Sequence, residues 1–150
     1  MQIEPNYFQA YSNLGAAFFT LGKIEESIEN YLKAIHIKPD YIDAYINLGI
    51  AFDKLESFEN AIKQYNQALL IDPNHISAHY NLAVDLEKID RLDEAILHYS
   101  QTIRIRPDLL EAIYRLGVAL YKQGRTDEAI HSYLEVLRIN PDFAEAHNNL

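Results

Sequence analysis

Hydrophobic and polar residues alternate along the chain with the period of amphipathic helices. In residues 42–55, a spacing of about 100° per residue places Leu48, Gly49 and Phe52 on one side of a helix, together with Tyr45. The other side carries a mixed set, namely Asp43, Ile46, Asn47, Ile50, Asp53 and Lys54. The first side is predicted to be core and the second to be presented to a ligand.

The same pattern recurs from end to end. It predicts helices at about 8–21, 24–37, 42–55, 58–71, 76–89, 92–105, 110–123 and 126–139. The five prolines stand at positions 5, 39, 73, 107 and 141, and each is followed by Asn or Asp, which favours a helix start at that residue. A constant spacing of 34 residues indicates one helical unit copied and stacked.

Other positions keep the same register. Leucine recurs at Leu14, Leu48, Leu82 and Leu116, a small residue at Gly15, Gly49, Ala83 and Gly117, and tyrosine at Tyr31, Tyr65, Tyr99 and Tyr133. These residues resemble the tetratricopeptide repeat (TPR) family. The resemblance implies an all-α solenoid of stacked antiparallel helix pairs that form a right-handed superhelix.

The repeat also predicts the domain organisation. Residues 1–150 form a single TPR array, with repeats at about 8–41, 42–75, 76–109 and 110–143 and partial repeats at 1–7 and 144–150. The array is expected to continue in a longer protein. Because glycine lowers helix propensity, the small residues are explained best by close approach of the paired helix, with the recurrent tyrosines on the opposite side of that contact.

Composition narrows the classes of function. The net charge of −9 argues against nucleic acid as a partner. No apolar run is long enough to span a membrane. The chain has no cysteine, which excludes disulfides and is compatible with a reducing compartment, so we expect a cytoplasmic location.

The TPR resemblance implies that the first helices of successive repeats line a concave groove that holds a protein or peptide partner. The predicted groove residues are Asn13, Ile46, Asn47, Ile50, Tyr80, Asn81, Val84, Tyr114, Arg115, Val118 and Tyr121. Their apolar and aromatic character suits an extended or helical peptide segment.

The groove asparagines resemble the asparagine ladder in the repeat domain of O-linked N-acetylglucosamine transferase. That resemblance implies that Asn13, Asn47 and Asn81 pair with a peptide backbone, whereas Arg115 interrupts the ladder. The alternative is a solvated helix face on which asparagine is merely tolerated. The carboxylate clamp of chaperone-binding TPR proteins is matched by Asn81 and Arg115 but not by Ile46, Ile50 and Glu111, and Arg115 is expected to pair with Glu111.

Catalytic and cofactor motifs are lacking in the sequence, so neither an enzyme activity nor a cofactor is predicted. His75 and His79 are four residues apart and are the best candidates for sharing a metal ion. His79, however, occupies the register of Tyr11 and Tyr45, so it is expected to replace a core aromatic, and no metal site is predicted.

Three functional hypotheses follow. The preferred one is a protein-interaction scaffold or adaptor that binds a peptide or protein segment in its groove. The second is the substrate-recognition arm of a larger enzyme such as a glycosyltransferase. The third is end-to-end self-association through apolar surfaces at uncapped ends of the array.

Overall fold

The structure is a computed structural model that describes residues 7–150. The predictions for residues 1–6, including Pro5 and most of the first partial repeat, lie outside the described residues. The described residues form nine helices, namely α1 (Tyr7–Thr20), α2 (Ile24–Ile37), α3 (Ile42–Lys54), α4 (Phe58–Ile71), α5 (Ile76–Lys88), α6 (Leu92–Ile105), α7 (Leu110–Lys122), α8 (Thr126–Ile139) and α9 (Ala144–Asn148). The bounds of α1 to α8 agree with the predicted ranges to within one residue at each end.

The chain divides into two compact units, Met1–Ala78 and His79–Leu150. The first unit contains α1 to α4 and the first residues of α5, and the second contains the rest of α5 and α6 to α9. The grouping of residues 1–150 into one array with the repeat limits given above stays a prediction.

In the first unit, α1 packs on α2, α3 packs on α4, and α2 also contacts α3. Three-residue turns join the paired helices, which makes each pair antiparallel. One core cluster combines Ile24 and Tyr31 of α2 with Leu48 and Ala51 of α3. The stacking of one helix pair on the next is therefore carried by apolar residues of facing helices.

The second unit repeats this arrangement. Helix α7 packs on both α6 and α8, and α8 contacts α9. Its core cluster includes Ile113 and Leu120 of α7, Tyr133 and Val136 of α8, and Ala146 of α9. The short helix α9 thus covers part of α8 in the same way that α3 packs on α2 and α7 packs on α6.

The recurrent tyrosines are buried against the small residues of the paired helix. A β-carbon added at Gly15 would lie 2.8 Å from the Tyr31 ring, and one added at Gly117 would lie 2.6 Å from the Tyr133 ring. The same substitution at Gly49 would collide with the Tyr65 ring. The predicted close approach is confirmed, and the four tyrosines are at most 3% exposed.

The turns inside the helix pairs share one backbone geometry. The residue at the same register is in the left-handed region in each, with φ of 75° at Gly22, 55° at Glu56, 61° at Asp90 and 77° at Gly124. In the second pair, the Ser57 amide then donates to the Phe52 carbonyl at 2.9 Å, which closes a Schellman motif. Glycine adopts this conformation without strain, whereas a β-carbon makes it costly.

Two details differ from the sequence-based prediction. The N-caps of the helices that follow Pro39, Pro107 and Pro141 are Tyr41, Leu109 and Phe143, one residue after the expected Asp, and they make no side-chain cap bond. Asp72 and Asn140, which precede prolines, instead accept hydrogen bonds from the backbone two residues on. These side chains shape the turn between pairs and do not cap the helix.

Leu14 also departs from its register, because it is 44% exposed whereas Leu48 is fully buried. Leu48 packs with Ile24 and Tyr31 of the preceding helix α2. No described helix precedes α1, so the corresponding contact for Leu14 is not provided by residues 7–150.

Replacing Tyr65 by Ala should lower the free energy of unfolding by about 3–5 kcal/mol, because it removes a ring that is 1% exposed and leaves a cavity against α3. The matched control is Leu70→Ala on the same helix, where the side chain is 76% exposed and the loss should be about 0.5 kcal/mol or less. Urea denaturation followed by circular dichroism measures both. Equal losses in the two variants would contradict the packing described here.

Replacing Glu56 by Gly should stabilise the protein by about 0.5–1 kcal/mol, because it removes the β-carbon from a left-handed residue at a modest entropic cost. Glu29→Gly, the same change in the middle of α2, should destabilise it by a similar amount through lost helix propensity. The same denaturation experiment gives both values. A destabilising effect of Glu56→Gly would show that the turn geometry is wrong.

Candidate functional site

Most predicted groove residues lie on the accessible side of the first helix of each pair. In the first unit, Asn13 is exposed, and Asn47 and Ile50 are half-buried. In the second unit, half-buried positions are held by Tyr80, Asn81, Val84, Tyr114, Arg115 and Val118. Tyr121 is 61% exposed. The exposure of these residues is compatible with a presented position on each helix, and their role in binding a peptide stays a prediction.

Ile46 is an exception, because it is only 7% exposed and therefore belongs to the core and not to a presented surface. Its register partners explain the difference. Tyr80 and Tyr114 occupy the same position, and their rings contact the buried Tyr99 and Tyr133 with centroids 6.1 and 5.9 Å apart. This position lies next to the recurrent tyrosine. A short side chain such as that of Ile46 is therefore buried there, whereas a tyrosine side chain is long enough to reach the surface.

A cavity of about 520 Å³ opens on this side of the second unit. It is lined by Tyr114, Val118, Tyr121, Lys122, Tyr133, Asn148 and Asn149. The amide of Asn149 donates to the Tyr114 hydroxyl at 3.1 Å, and the Phe143 ring packs on the Tyr114 ring at 5.5 Å between centroids. Three of the predicted groove residues, Tyr114, Val118 and Tyr121, therefore line one concave surface of aromatic and apolar side chains.

Glu87 is the centre of the polar contacts on the same side. Its carboxylate accepts a hydrogen bond from the buried Tyr99 hydroxyl at 2.9 Å. It also forms ion pairs with Lys122 Nζ at 2.7 Å and with Arg115 at 3.6 Å. Burial first, and the nearby Glu87 carboxylate second, raise the pKa of Tyr99 far above its usual range, so Tyr99 remains a donor to Glu87.

The expected pair between Glu111 and Arg115 is confirmed, with Arg115 Nε 3.0 Å from Glu111 Oε1. Burial, with a further contribution from the Glu111 carboxylate, raises the pKa of Tyr80 above its usual value. Tyr80, Glu111 and Arg115 therefore lie together at the boundary between the apolar and charged parts of this side.

We name the surface formed by Tyr80, Glu87, Glu111, Tyr114, Arg115, Val118, Tyr121, Lys122 and Asn149 the first-helix face of the second unit. Helical register places Glu87 and Lys122 on the groove side of their helices as well, but only the aromatic part, Val118 and Arg115 of this face are among the predicted peptide-binding residues. Asn149 has the same register as the other asparagines of the ladder, so the asparagine spacing in the sequence indicates it as a residue of this face. No signal in the sequence shows that Tyr99 reaches Glu87.

His75 and His79 make different contacts. Nδ1 of His75 accepts a hydrogen bond from the Ala78 amide at 3.2 Å. His79 is 7% exposed, and its Nδ1 lies 2.9 Å from Nδ1 of His98. Within residues 7–150 there is no group of three or more metal-binding side chains. The burial of His79 agrees with its predicted place as the substitute for a core aromatic.

Comparison with known families identifies the class of protein. A sequence profile described as "TPR repeat" matches residues 17–56, 86–124 and 119–150, and one described as "Tetratricopeptide repeat" matches residues 42–75. These matches cover most of the chain, and the chain belongs to the tetratricopeptide repeat family. No curated protein sequence matches it.

Solved structures agree with this fold. MamA from Desulfovibrio magneticus RS-1 is 20% identical, with a TM-score of 0.90, over 97% of this chain and 82% of that one. YrrB, described as a TPR protein with an unusual peptide-binding site, is 22% identical with a TM-score of 0.83, over 93% of this chain and 72% of that one. The first TPR of Spaghetti (RPAP3), bound to the HSP90 peptide SRMEEVD, is 20% identical with a TM-score of 0.79, over 83% of this chain and 98% of that one.

These likenesses establish the all-α TPR architecture of helix pairs. None of the described helices is long and apolar enough to cross a membrane.

His98, a half-buried residue that faces His79, should make stability depend on pH. Burial, and next the facing His79, lower the pKa of His98 from 6.5 to about 4, while Glu94 opposes the shift. The unfolded chain therefore binds this proton at a higher pH than the folded chain does, so stability falls as pH decreases from 6.5 towards 4.

The measurement is urea denaturation of the native protein and of His98→Gln at neutral pH and at a pH inside that window. The variant should lose less stability on acidification than the native protein. An equal loss in both would show that His98 does not titrate in this range.

Proposed function

We propose that the protein is a non-catalytic scaffold or adaptor that binds a peptide segment of another protein on the first-helix faces of its repeats. The observation that carries this proposal is the concave surface of Tyr114, Val118 and Tyr121 beside the partly exposed Tyr80. Aromatic side chains that stay accessible on a rigid helical scaffold are typical of protein-binding sites.

Two comparisons support the same class of ligand. YrrB is described as having a peptide-binding site, and the Spaghetti repeat unit is bound to a peptide. The aromatic lining and the amides of Asn148 and Asn149 offer apolar contact and hydrogen-bonding groups together. An extended segment with apolar side chains would use both, because its backbone needs partners while its side chains are buried.

The enzyme-arm and self-association hypotheses both stay open. The enzyme-arm hypothesis depends on Asn13, Asn47 and Asn81, whose pairing with a peptide backbone stays a prediction. Self-association is favoured by Ile130 and Leu134 of α8, which are 38% and 51% exposed. The cytoplasmic location stays a prediction from composition.

The test begins with dodecapeptides selected on the native protein from a random library. Replacing Tyr121 by Ala should weaken the best peptide by about tenfold or more, or ~1.4 kcal/mol, because an exposed aromatic anchor is lost. The control is Leu134→Ala on α8, a change at a similarly exposed apolar residue of the same unit that should leave affinity unchanged.

Fluorescence anisotropy gives the dissociation constants, and circular dichroism checks that both variants remain folded. Equal affinities for native protein and Tyr121→Ala would rule out this face as the binding surface. Failure to select any peptide would count against the proposed function.

A further inference from the structure

We infer that Glu87 determines the charge preference of the first-helix face of the second unit. By holding Arg115 and Lys122 in ion pairs within the chain, it makes this face accept neutral or basic segments and reject acidic ones. The inference rests on the proposed function, because it specifies the chemistry of the segment that this face binds.

The first observation is that Glu87 is fixed in place. Its side chain is only 9% exposed, and Tyr99 donates to it at 2.9 Å. The Tyr99 ring is itself fully buried, so the hydroxyl is held by the core and cannot follow a displaced carboxylate. An acceptor that is anchored in this way remains beside the basic residues whether or not a ligand is present.

The second observation is that both basic residues of this face are already paired. Lys122 lies 2.7 Å from Glu87, and Arg115 lies between Glu87 at 3.6 Å and Glu111 at 3.0 Å. The two acids and two bases of the cluster have no net charge. An incoming carboxylate would compete with an anchored carboxylate for the same donors and would be repelled by it, so it gains little.

The wider charge distribution acts in the same direction. Residues 79–150 contain twelve acidic and eight basic side chains, so the second unit is negative beyond the cluster as well. Acidic segments are therefore repelled at a distance as well as at the face, whereas neutral or basic segments are not. Together, these observations describe a face whose apolar residues are available to a ligand and whose basic residues are already held in ion pairs within the chain.

The experiment replaces Glu87 by Gln, which keeps the shape of the side chain and an oxygen to accept from Tyr99 but removes the negative charge. Two fluorescent hexapeptides serve as probes, Glu-Val-Glu-Val-Glu-Val and Gln-Val-Gln-Val-Gln-Val. The variant should bind the glutamate peptide about tenfold more tightly than the native protein does. That gain should shrink at high salt, and binding of the glutamine peptide should not change.

Glu135→Gln is the matched control. It makes the same change of charge at an acid that pairs with Arg138 on α8, away from this face, and should not increase binding of the glutamate peptide. Glu111→Gln is a second variant that leaves the contact between Tyr99 and Glu87 intact and removes one of the two carboxylates paired with Arg115. It should give a smaller gain than Glu87→Gln does, and circular dichroism checks the fold of all three.

The inference is overturned if Glu87→Gln and Glu111→Gln bind the glutamate peptide no better than the native protein, including the case in which none of them binds it. It is also overturned if Glu135→Gln gives the same gain. A gain at Glu87 together with no effect of Tyr121→Ala would uphold the charge preference and reject the aromatic surface. The reverse result would uphold the proposed function and reject Glu87 as its determinant.

Discussion

The structure depends on the contact between a tyrosine ring and the backbone of the paired helix. Tyr31, Tyr65 and Tyr133 each lie against a glycine, at distances that leave no room for a β-carbon. Glycine lowers helix propensity by about 1 kcal/mol relative to Ala, and the burial of a complete aromatic ring offsets that cost. In α5 the same register is filled by Ala83, which is fully buried, so this pair accommodates one additional methyl group. The spacing of each helix pair follows from this contact.

The same tyrosines connect the core to the accessible face. Tyr80 and Tyr114 are held at the surface because their rings rest on Tyr99 and Tyr133. The Tyr99 hydroxyl then positions Glu87, and Glu87 positions the cations around it. Recognition groups on this face are thus supported by buried groups, which keeps them in one arrangement and lowers the entropy lost when a ligand binds.

The fold could be predicted from the sequence because helical period, proline spacing and the glycine and tyrosine registers all indicate the same helix pairs. The site could be predicted only in part. The repeat register alone could not show that Ile46 is buried because its side chain is too short to extend past the recurrent tyrosines. It also could not show that Leu14 is exposed. Asp85 gives a similar lesson, because it is 2% exposed where Ala51 and Ala119 stand in other pairs, and its contact with Lys88 at 3.0 Å depends on side-chain conformation. Such features arise from packing and ion pairing, which a periodic pattern does not encode.

The polar contacts between successive helix pairs of the second unit have a consequence for folding kinetics. Glu87 and Lys122 are 35 residues apart in sequence, and so are Tyr114 and Asn149. Forming each contact closes a loop of the same modest length, so the entropic cost of joining one more helix pair does not grow with the number already formed. Contacts of this local kind are associated with fast folding, and a chain built from them can begin to fold at any pair and extend in either direction.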